Sequence, residues 1–508
     1  MIDIDPKNTD ETLTLLSTEI IGIDASNILS KKRPGGSVMT NDFTVGFQYE
    51  NKPIISKPIG VETSNISIES KDVNGCVNDI ARLIMELSTA SQEIDIEFGN
   101  ASENKFPRYL ISNDLLMNGV LSDPRVFVSR ADTFVTLEEY STNLRVIEIN
   151  AKCPEAQGWA AELSRRINQR PTLGPIGITT AEISKQVGRN MAVVVWPNDV
   201  VKGNETLHIT NELTILKELN IIDNFLVAAP DDVTVDSGRV RVDGVKVDWI
   251  YRYFGPDDVL YANSYLPDKN GVTRPDKHAE LEELNIYDNY GRNSTLRFGD
   301  YNLHIAGVMW TLLREGLNGR TVVFPDAPSA KLGYKGLFPR AYSGKSVQIS
   351  NNLRLAQKLL TPSFNLSDCT HLPETSVLKL TNSSGGADVI VGSSDTKAVV
   401  HALSAHGNVN TNEKFVSDNW KQLIHLLKQK PNGWIVQPQV KPGNFDLLSN
   451  DDFQGSKEIP YDLDPYVVVI DNNTYIGPCV LRYKSIDPQE GNNRINVVQG
   501  GKFSVVNI

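Results

Sequence analysis

Arg130-x-Asp132 and Glu148-x-Asn150 put a guanidinium, two carboxylates and an amide on two neighbouring segments, SRADTFVTLE and LRVIEINAKCPE, joined by the polar turn EYSTN. Carboxylate and amide oxygens are the hard ligands Mg²⁺ prefers, normally beside waters and the phosphates of a nucleotide. A solvated strand face has the same appearance, so spacing alone leaves both readings open. A second candidate is Lys379-Leu-Thr-Asn-Ser-Ser384-Gly385-Gly386 followed by DVIVG. The backbone N–H groups of such a turn can cradle phosphate oxygens, and Lys379 can add a point charge; an ordinary Gly-Gly hairpin is the alternative. Trp434-Ile-Val-Gln437-Pro-Gln439 could wall a purine ring or simply be core. Arg482 in LRYKS, with Asn493, Arg494 and Asn496 after it, could stabilise charge in phosphoryl transfer, or lie on the surface as most arginines do.

Other signatures fail on inspection. Ser343-Gly344-Lys345-Ser346 resembles the end of a phosphate-binding P-loop, but Pro339 stands where that motif needs glycine. No G-x-G-x-x-G follows a strand, and neither H-E-x-x-H nor G-x-S-x-G occurs.

These residues need strands to carry them. Arg145 to Asn150 alternates polar and apolar, which places Arg145, Ile147 and Ile149 on one face and Val146, Glu148 and Asn150 on the other. Arg130 and Asp132 share a face of the preceding strand, and in a hairpin the two polar faces can coincide. Helical spacing of Val77, Ile80, Ala81, Leu83, Ile84 and Leu87 predicts a helix over 74–92, and YLISNDLLMNGVL predicts another before the strand RVFVSR. MAVVVWPND is an apolar run of the kind buried on both faces. The helix LHITNELTILKELNI, the strand NFLVAAPDD, the hairpin RVRVDGVKVD and the strand WIYRYF follow, an alternation that predicts a small α/β unit. A helix over 301–316 and the strand TVVFPDAP come next. Beyond 330, helices are expected at 347–360 and 417–430. Strands are expected at 376–381, 387–392, 433–440, 465–470, 474–483 and 494–499, adjoining in sequence and so antiparallel.

The chain has 508 residues, 40% hydrophobic and 22% charged, which suits a globular protein of two to four units. Its formal net charge of −12 repels a nucleic-acid backbone. An anionic ligand would need a local basic pocket or a metal. There is no apolar run of membrane-spanning length, and the acidic N-terminal stretch is no secretory signal. Cys76, Cys153, Cys369 and Cys479 form no C-x-x-C pair, so the expected compartment is the cytoplasm and the expected cysteine role is a small buried hydrophobe.

Taken in order, R-x-D, E-x-N-A, a strand-ending lysine with a Gly-rich loop, an amide-rich strand and a late arginine resemble the circularly permuted ATP-grasp ligases, the group of glutathionylspermidine synthase and eukaryotic glutathione synthase. The resemblance covers roughly residues 105–508 and is carried most by 129–155. It implies an ATP-grasp fold, mixed α+β and α/β, with antiparallel sheets clamping ATP and an inserted α/β substrate domain. It implies Mg²⁺ on Asp132, Glu148 and Asn150, and Arg130 and Arg482 as the catalytic arginines. Lys335 and Lys379, the loop Ser384-Gly385-Gly386 and Gln437 would take the nucleotide. Two departures stand out. Family loops carry an acidic residue soon after the lysine, where this chain has Thr381-Asn382-Ser383-Ser384. No amidase-type half with an early nucleophilic cysteine is present, and the first 100 or so residues match no known part of the family.

The expected organisation is a region 1–105 of unassigned role, a metal-binding hairpin part over 106–188, an inserted α/β domain over 189–325 and a nucleotide-binding core with lid over 326–508. The expected activity is ATP-dependent joining of a carboxylate to an amine through an acyl phosphate. The expected partners are a small-molecule acid, such as an amino acid or short peptide, and a small-molecule amine, with no nucleic acid and no membrane; a homodimer is left open. The rivals are a non-catalytic nucleotide-binding protein of the same fold and an ATP-dependent phosphotransferase.

Overall fold

The computed structural model describes residues 48–49, 52–53, 70–89, 125–138, 141–168 except 152 and 155, 173–195, 204–254 except 237–238, 282–287, 293–298, 322–325, 332–343, 353–381, 389–395, 416–429, 434–440, 444–446, 458–483 and 502–506, with 308, 312, 329, 399 and 402 singly. The helix expected before RVFVSR, the body of the 301–316 helix, the strand expected at 494–499 and Ser384-Gly385-Gly386 lie outside the described residues. So do Asn493, Arg494 and Asn496.

The largest sheet is antiparallel throughout, in the order Lys502–Val506, Asn473–Tyr483, Glu458–Ile470, Val126–Glu138, Ser141–Asn150, with Asn444–Asp446 pairing onto Glu458–Ile470. Period-two alternation gives its two faces different jobs. Phe127, Ala131, Val135, Leu463, Val467, Val469 and Leu481 look into one core. The helix Ser70–Thr89 covers that core with Val77, Ile80, Leu83, Ile84 and Leu87, the apolar stripe read from the sequence. On the other face, Val126, Val128, Tyr466, Val468 and Ile470 enter a second core. Farther along that same face the series continues as Arg130 and Asp132 on one strand and Asp464 and Asp462 on the other. The sheet therefore turns from apolar to charged along a single face.

The hairpin register corrects the strict alternation expected for 145–150. Asp132 is opposite Glu148, but the next pair is Thr133 with Val146, so Ile147 is an extra residue in a bulge. Each bulge flips the faces beyond it. Val146 joins Leu144 and Ile149 in the core, while Glu148 and Asn150 take the face of Arg130 and Asp132. Without the bulge, burying Val146 would also bury Glu148.

The second core belongs to a four-stranded parallel sheet in the order Val322–Phe324, Trp249–Tyr253, Asn190–Val195, Asn224–Ala228. The central strands Asn190–Val195 and Trp249–Tyr253 are almost wholly buried, as continuous apolar runs predict. Helix Asn204–Glu218 makes the crossover expected between the first two strands. Two helices escaped the sequence reading, Gln157–Asn168 and Pro175–Gln186. The second is buried at ten consecutive positions, Pro175 to Ser184, so it has no polar stripe to reveal its period. Its Gly174 N–H donates to the buried carboxylate of Glu212 from the neighbouring helix, a long-range cap invisible to local rules.

A third sheet is antiparallel, in the order Phe364–Asn365, Trp434–Gln437, Val377–Leu380, Val389–Val391, and is backed by helix Val416–Lys428 through Trp420, Leu423 and Leu427. Leu378 and Val436 face that helix, so Lys379, Ile435 and Gln437 take the opposite side. Helix Leu353–Leu359 falls within the 347–360 expected, whose first six positions lie outside the described residues. None of the four cysteines is in a disulfide; Cys76 and Cys479 are buried and Cys153 and Cys369 half-buried. Among the described residues no helix is long and apolar enough to cross a membrane.

Candidate functional site

Four strands of the large sheet deliver charge to one place. Arg482 is directly opposite Asp462, Arg130 is opposite Asn150, and Asp132 is opposite Glu148. Asp132 is the centre of the set. Its Oδ1 accepts from Arg130 Nε at 3.0 Å and from Asn150 Nδ2 at 3.0 Å, and its Oδ2 lies 2.9 Å from Arg482 Nη2. Arg482 also meets Asp462 at 2.9 Å and Asp464 at 2.6 Å. The last contact is ionic rather than a directed hydrogen bond, since Asp464 Oδ2 has no hydrogen-bond partner of good geometry. Asp464 Oδ1 accepts instead from the backbone N–H of Thr133 at 3.1 Å, the residue at the hairpin bulge.

Two lysines reach the same hairpin from the third sheet and its connection. Lys335 Nζ lies 3.1 Å from Glu148 Oε1, and Lys379 Nζ donates to the carbonyl of the bulged Ile147 at 2.8 Å. Both lysines are buried. They are tied to one another through the main chain, because Lys335 N–H donates to Thr381 O at 3.0 Å at the end of the strand that carries Lys379. Thr361 N–H donates to Val146 O at 3.0 Å, so the chain leading into the third sheet is also fixed to the hairpin. Gln437, two residues along from the partner of Lys379, donates to Ser363 Oγ at 2.9 Å.

The charges set the protonation. Burial pushes the Asp132 carboxyl up, but Arg130 and Arg482 outweigh it and hold the group at about 2. Burial, with Asp132 beside it, raises the Asp462 carboxyl to about 7 against the pull of Arg482 and Arg130. Asp464 is pushed well above the usual carboxylate range, again chiefly by burial. Burial lowers Lys379 to about 8, against the pull of Glu148 and with help from Lys335.

A stability prediction follows for Asp462. Its folded-state value lies above the ordinary 3.8, so the unfolded chain ionises first as pH rises. The contribution favouring the fold is complete below about pH 4 and is lost as pH climbs toward 7, at about 1.4 kcal/mol for each unit of pH traversed. Asp462→Asn should flatten that fall and melt no lower than the parent at pH 8, although it removes an ion pair. Melting curves at pH 5 and pH 8 check this; a variant clearly less stable at pH 8 rules it out.

Of the residues singled out from sequence, Arg130, Asp132, Glu148, Asn150, Lys335, Lys379 and Arg482 are thus brought together, and Gln437 stands on the adjacent strand. Asp462 and Asp464 were missed. The signal was present as D-x-D in YDLDPYVVV, an acidic pair at period two leading into an apolar strand. Among the described residues no group of three or more His, Cys, Asp or Glu side chains is arranged to hold a metal alone. Oxygen donors for a hard cation are nonetheless present in the Glu148 carboxylate and the Asn150 amide, which share a face, with lysines beside them to meet phosphate oxygens.

No family model matches the chain, and no curated protein matches it. Among solved structures it is similar to a glutathione synthetase-like effector from Globodera pallida in its apo form, at 12% identity over 86% of this chain and 87% of that one, with a TM-score of 0.47. It is also similar to a putative gamma-glutamylcysteine synthetase from Methylobacillus flagellatus KT, at 11% identity over 84% of this chain and 87% of that one, with a TM-score of 0.34. Superpositions this loose carry no argument here, and function has to be argued from the site.

Proposed function

We propose that the chain is an ATP-dependent carboxylate–amine ligase of circularly permuted ATP-grasp architecture, with the division at 105, 188 and 325 given above. One observation carries the reading: two buried lysines, Lys379 from an antiparallel sheet and Lys335 from a turn hydrogen-bonded to the end of the same strand, converge on the Glu148–Ile147 stretch of a second sheet, beside two arginines. Four cations stand around one hairpin in a chain of net charge −12; Arg130, Arg482 and Lys335 are paired with carboxylates, and Lys379 rests on a backbone carbonyl that a phosphate oxygen could replace. A polyphosphate has the matching chemistry.

When bound, Mg²⁺ would be held by Asp132, Glu148 and Asn150 and would neutralise phosphate charge. The chain's own groups do the rest. Lys335 and Lys379 bind the phosphates and fix their direction, and the Ser384-Gly385-Gly386 loop covers them. Gln437 faces the purine. Arg130 and Arg482 hold the substrate acid against the terminal phosphate and stabilise the negative charge that grows as the acyl phosphate forms. They serve again when the amine attacks and an oxyanion develops. Small-molecule acid and amine substrates and a cytoplasmic setting belong to the same proposal. Release of ADP and phosphate, measured against a panel of amino acids, short peptides and amines, tests it. ADP release only when acid and amine are both present is the expected result. Release with neither, or with a hydroxyl acceptor alone, would favour phosphotransfer or hydrolysis.

Lys379 gives a second test. A lysine near pH 8 must be protonated to bind phosphate well, so affinity for Mg-ADP should fall by about tenfold for each unit of pH above 8. Lys379→Arg should remove that fall, and Lys379→Ala should weaken binding at every pH. Calorimetry between pH 6.5 and 9.5 reads all three; an affinity indifferent to Lys379→Ala would make the loop a mere turn.

A further inference from the structure

We propose that Asp132, Asp462 and Asp464 are positioning residues that clamp Arg130 and Arg482, and that Asp132 in particular is not a metal ligand. The inference rests on the ligase reading above but changes the job of one residue in it. Both oxygens of Asp132 are already engaged, Oδ1 by Arg130 Nε and Asn150 Nδ2 and Oδ2 by Arg482 Nη2, all at 2.9–3.0 Å. A divalent cation on either oxygen would have to displace a guanidinium and sit against two of them. Glu148 differs in its pairing: its Oε1 lies 3.1 Å from a lysine amine, Lys335 Nζ, and no guanidinium is paired with it among the described residues.

The two other aspartates are too deeply buried to touch a substrate, at 1% and 0% exposure, so whatever they do passes through Arg482. They grip it from the strand opposite, with Asp462 Oδ1 3.2 Å and Asp464 Oδ2 2.6 Å from Nε. Asp464 is anchored in turn by the Thr133 N–H at the hairpin bulge. The bulge therefore does two things: it turns Glu148 to the face of Asp132 and offers a backbone donor that fixes the clamp. An arginine held by three carboxylates keeps its plane and direction before substrate arrives, which is what preorganised charge stabilisation requires.

Three variants separate positioning from ligation. Asp132→Asn keeps the shape and removes the charge. It should lower kcat for ADP release by about 10²-fold while leaving the Mg²⁺ concentration for half-maximal rate within about twofold, and Asp132→Glu should recover part of the loss. Asp464→Asn should act in the same direction. Glu148→Gln should instead raise the Mg²⁺ requirement by about tenfold or more. A second arm needs no turnover: binding of Mn²⁺ with ADP, followed by electron paramagnetic resonance, should be unchanged in Asp132→Asn and weakened in Glu148→Gln. Arg side-chain Nε–H signals in ¹⁵N spectra should lose protection from solvent exchange in Asp464→Asn, or in Asp132→Asn should the former not fold. If no acid and amine release ADP, the ligase reading falls, and the Mn²⁺ and ¹⁵N arms still decide the role of Asp132. Mn²⁺ affinity lost equally in Asp132→Asn and Glu148→Gln, or arginine signals unmoved, would overturn the proposal.

Discussion

Glu148→Ala should abolish ADP release, with a loss of at least about 10³-fold, and leave the fold intact. Glu148 pairs with a lysine, where Asp132 opposite it pairs with arginines, and it stands on the same face as Asn150. If it holds the metal, its removal takes away a charged ligand, and the Asn150 amide beside it is neutral. Removal also takes the Glu148 carboxylate away from the buried Lys335 amine. A buried ammonium that loses a neighbouring carboxylate holds its proton less well, so phosphate binding should weaken in parallel. Steady-state rates at saturating Mg²⁺, with the melting temperature as the control for folding, measure the effect. Full activity at saturating Mg²⁺ would remove Glu148 from the site.

Arg482→Ala should cut kcat by about 10²–10³, with a smaller change in KM for ATP, because a preorganised donor matters most in the transition state. The structure adds a cost to the same substitution. Asp132, Asp462 and Asp464 all lean on Arg482, and without it three buried carboxylates face one another. Asp462 and Asp464 should then stay protonated over a wider range of pH, and the variant should lose stability most steeply as pH rises above 7. Arg482→Lys should restore some stability but little kcat, since an ammonium cannot span three carboxylates as a planar fork does. A variant that melts lower but keeps full kcat would make Arg482 a structural residue and leave Arg130 as the only catalytic arginine.

Local sequence determined a good part of this protein. The stripe Val77 to Leu87 produced its helix, and the continuous apolar runs at 190–195 and 249–253 became the central strands of a parallel sheet. The adjoining strands beyond 330 became antiparallel pairs. These features depend on periodicity and on short connections, which a chain carries within ten or twenty residues. The residue types around Arg130, Asp132, Glu148 and Asn150 were legible for the same reason, since chemistry-bearing side chains at strand spacing stand out against an apolar alternation.

Tertiary structure alone decided the remainder. The bulge at Ile147 cannot be read from LRVIEIN, because only the partner strand and the buried core show that Val146 and Glu148 must part company. Asp462 and Asp464 look like surface residues until the strand opposite supplies Arg482 and the hairpin supplies Thr133. Helix Pro175–Gln186 is capped by Glu212, 38 positions away from Gly174, and is buried on all sides, so neither its start nor its period was written locally. Lys335 and Lys379 meet Glu148 and Ile147 across separations of some two hundred residues. The physical reason is common to all of them: a buried charge is tolerated only where a partner of opposite sign or a donor is held against it. That partner comes from whichever strand the packing of the cores brings alongside.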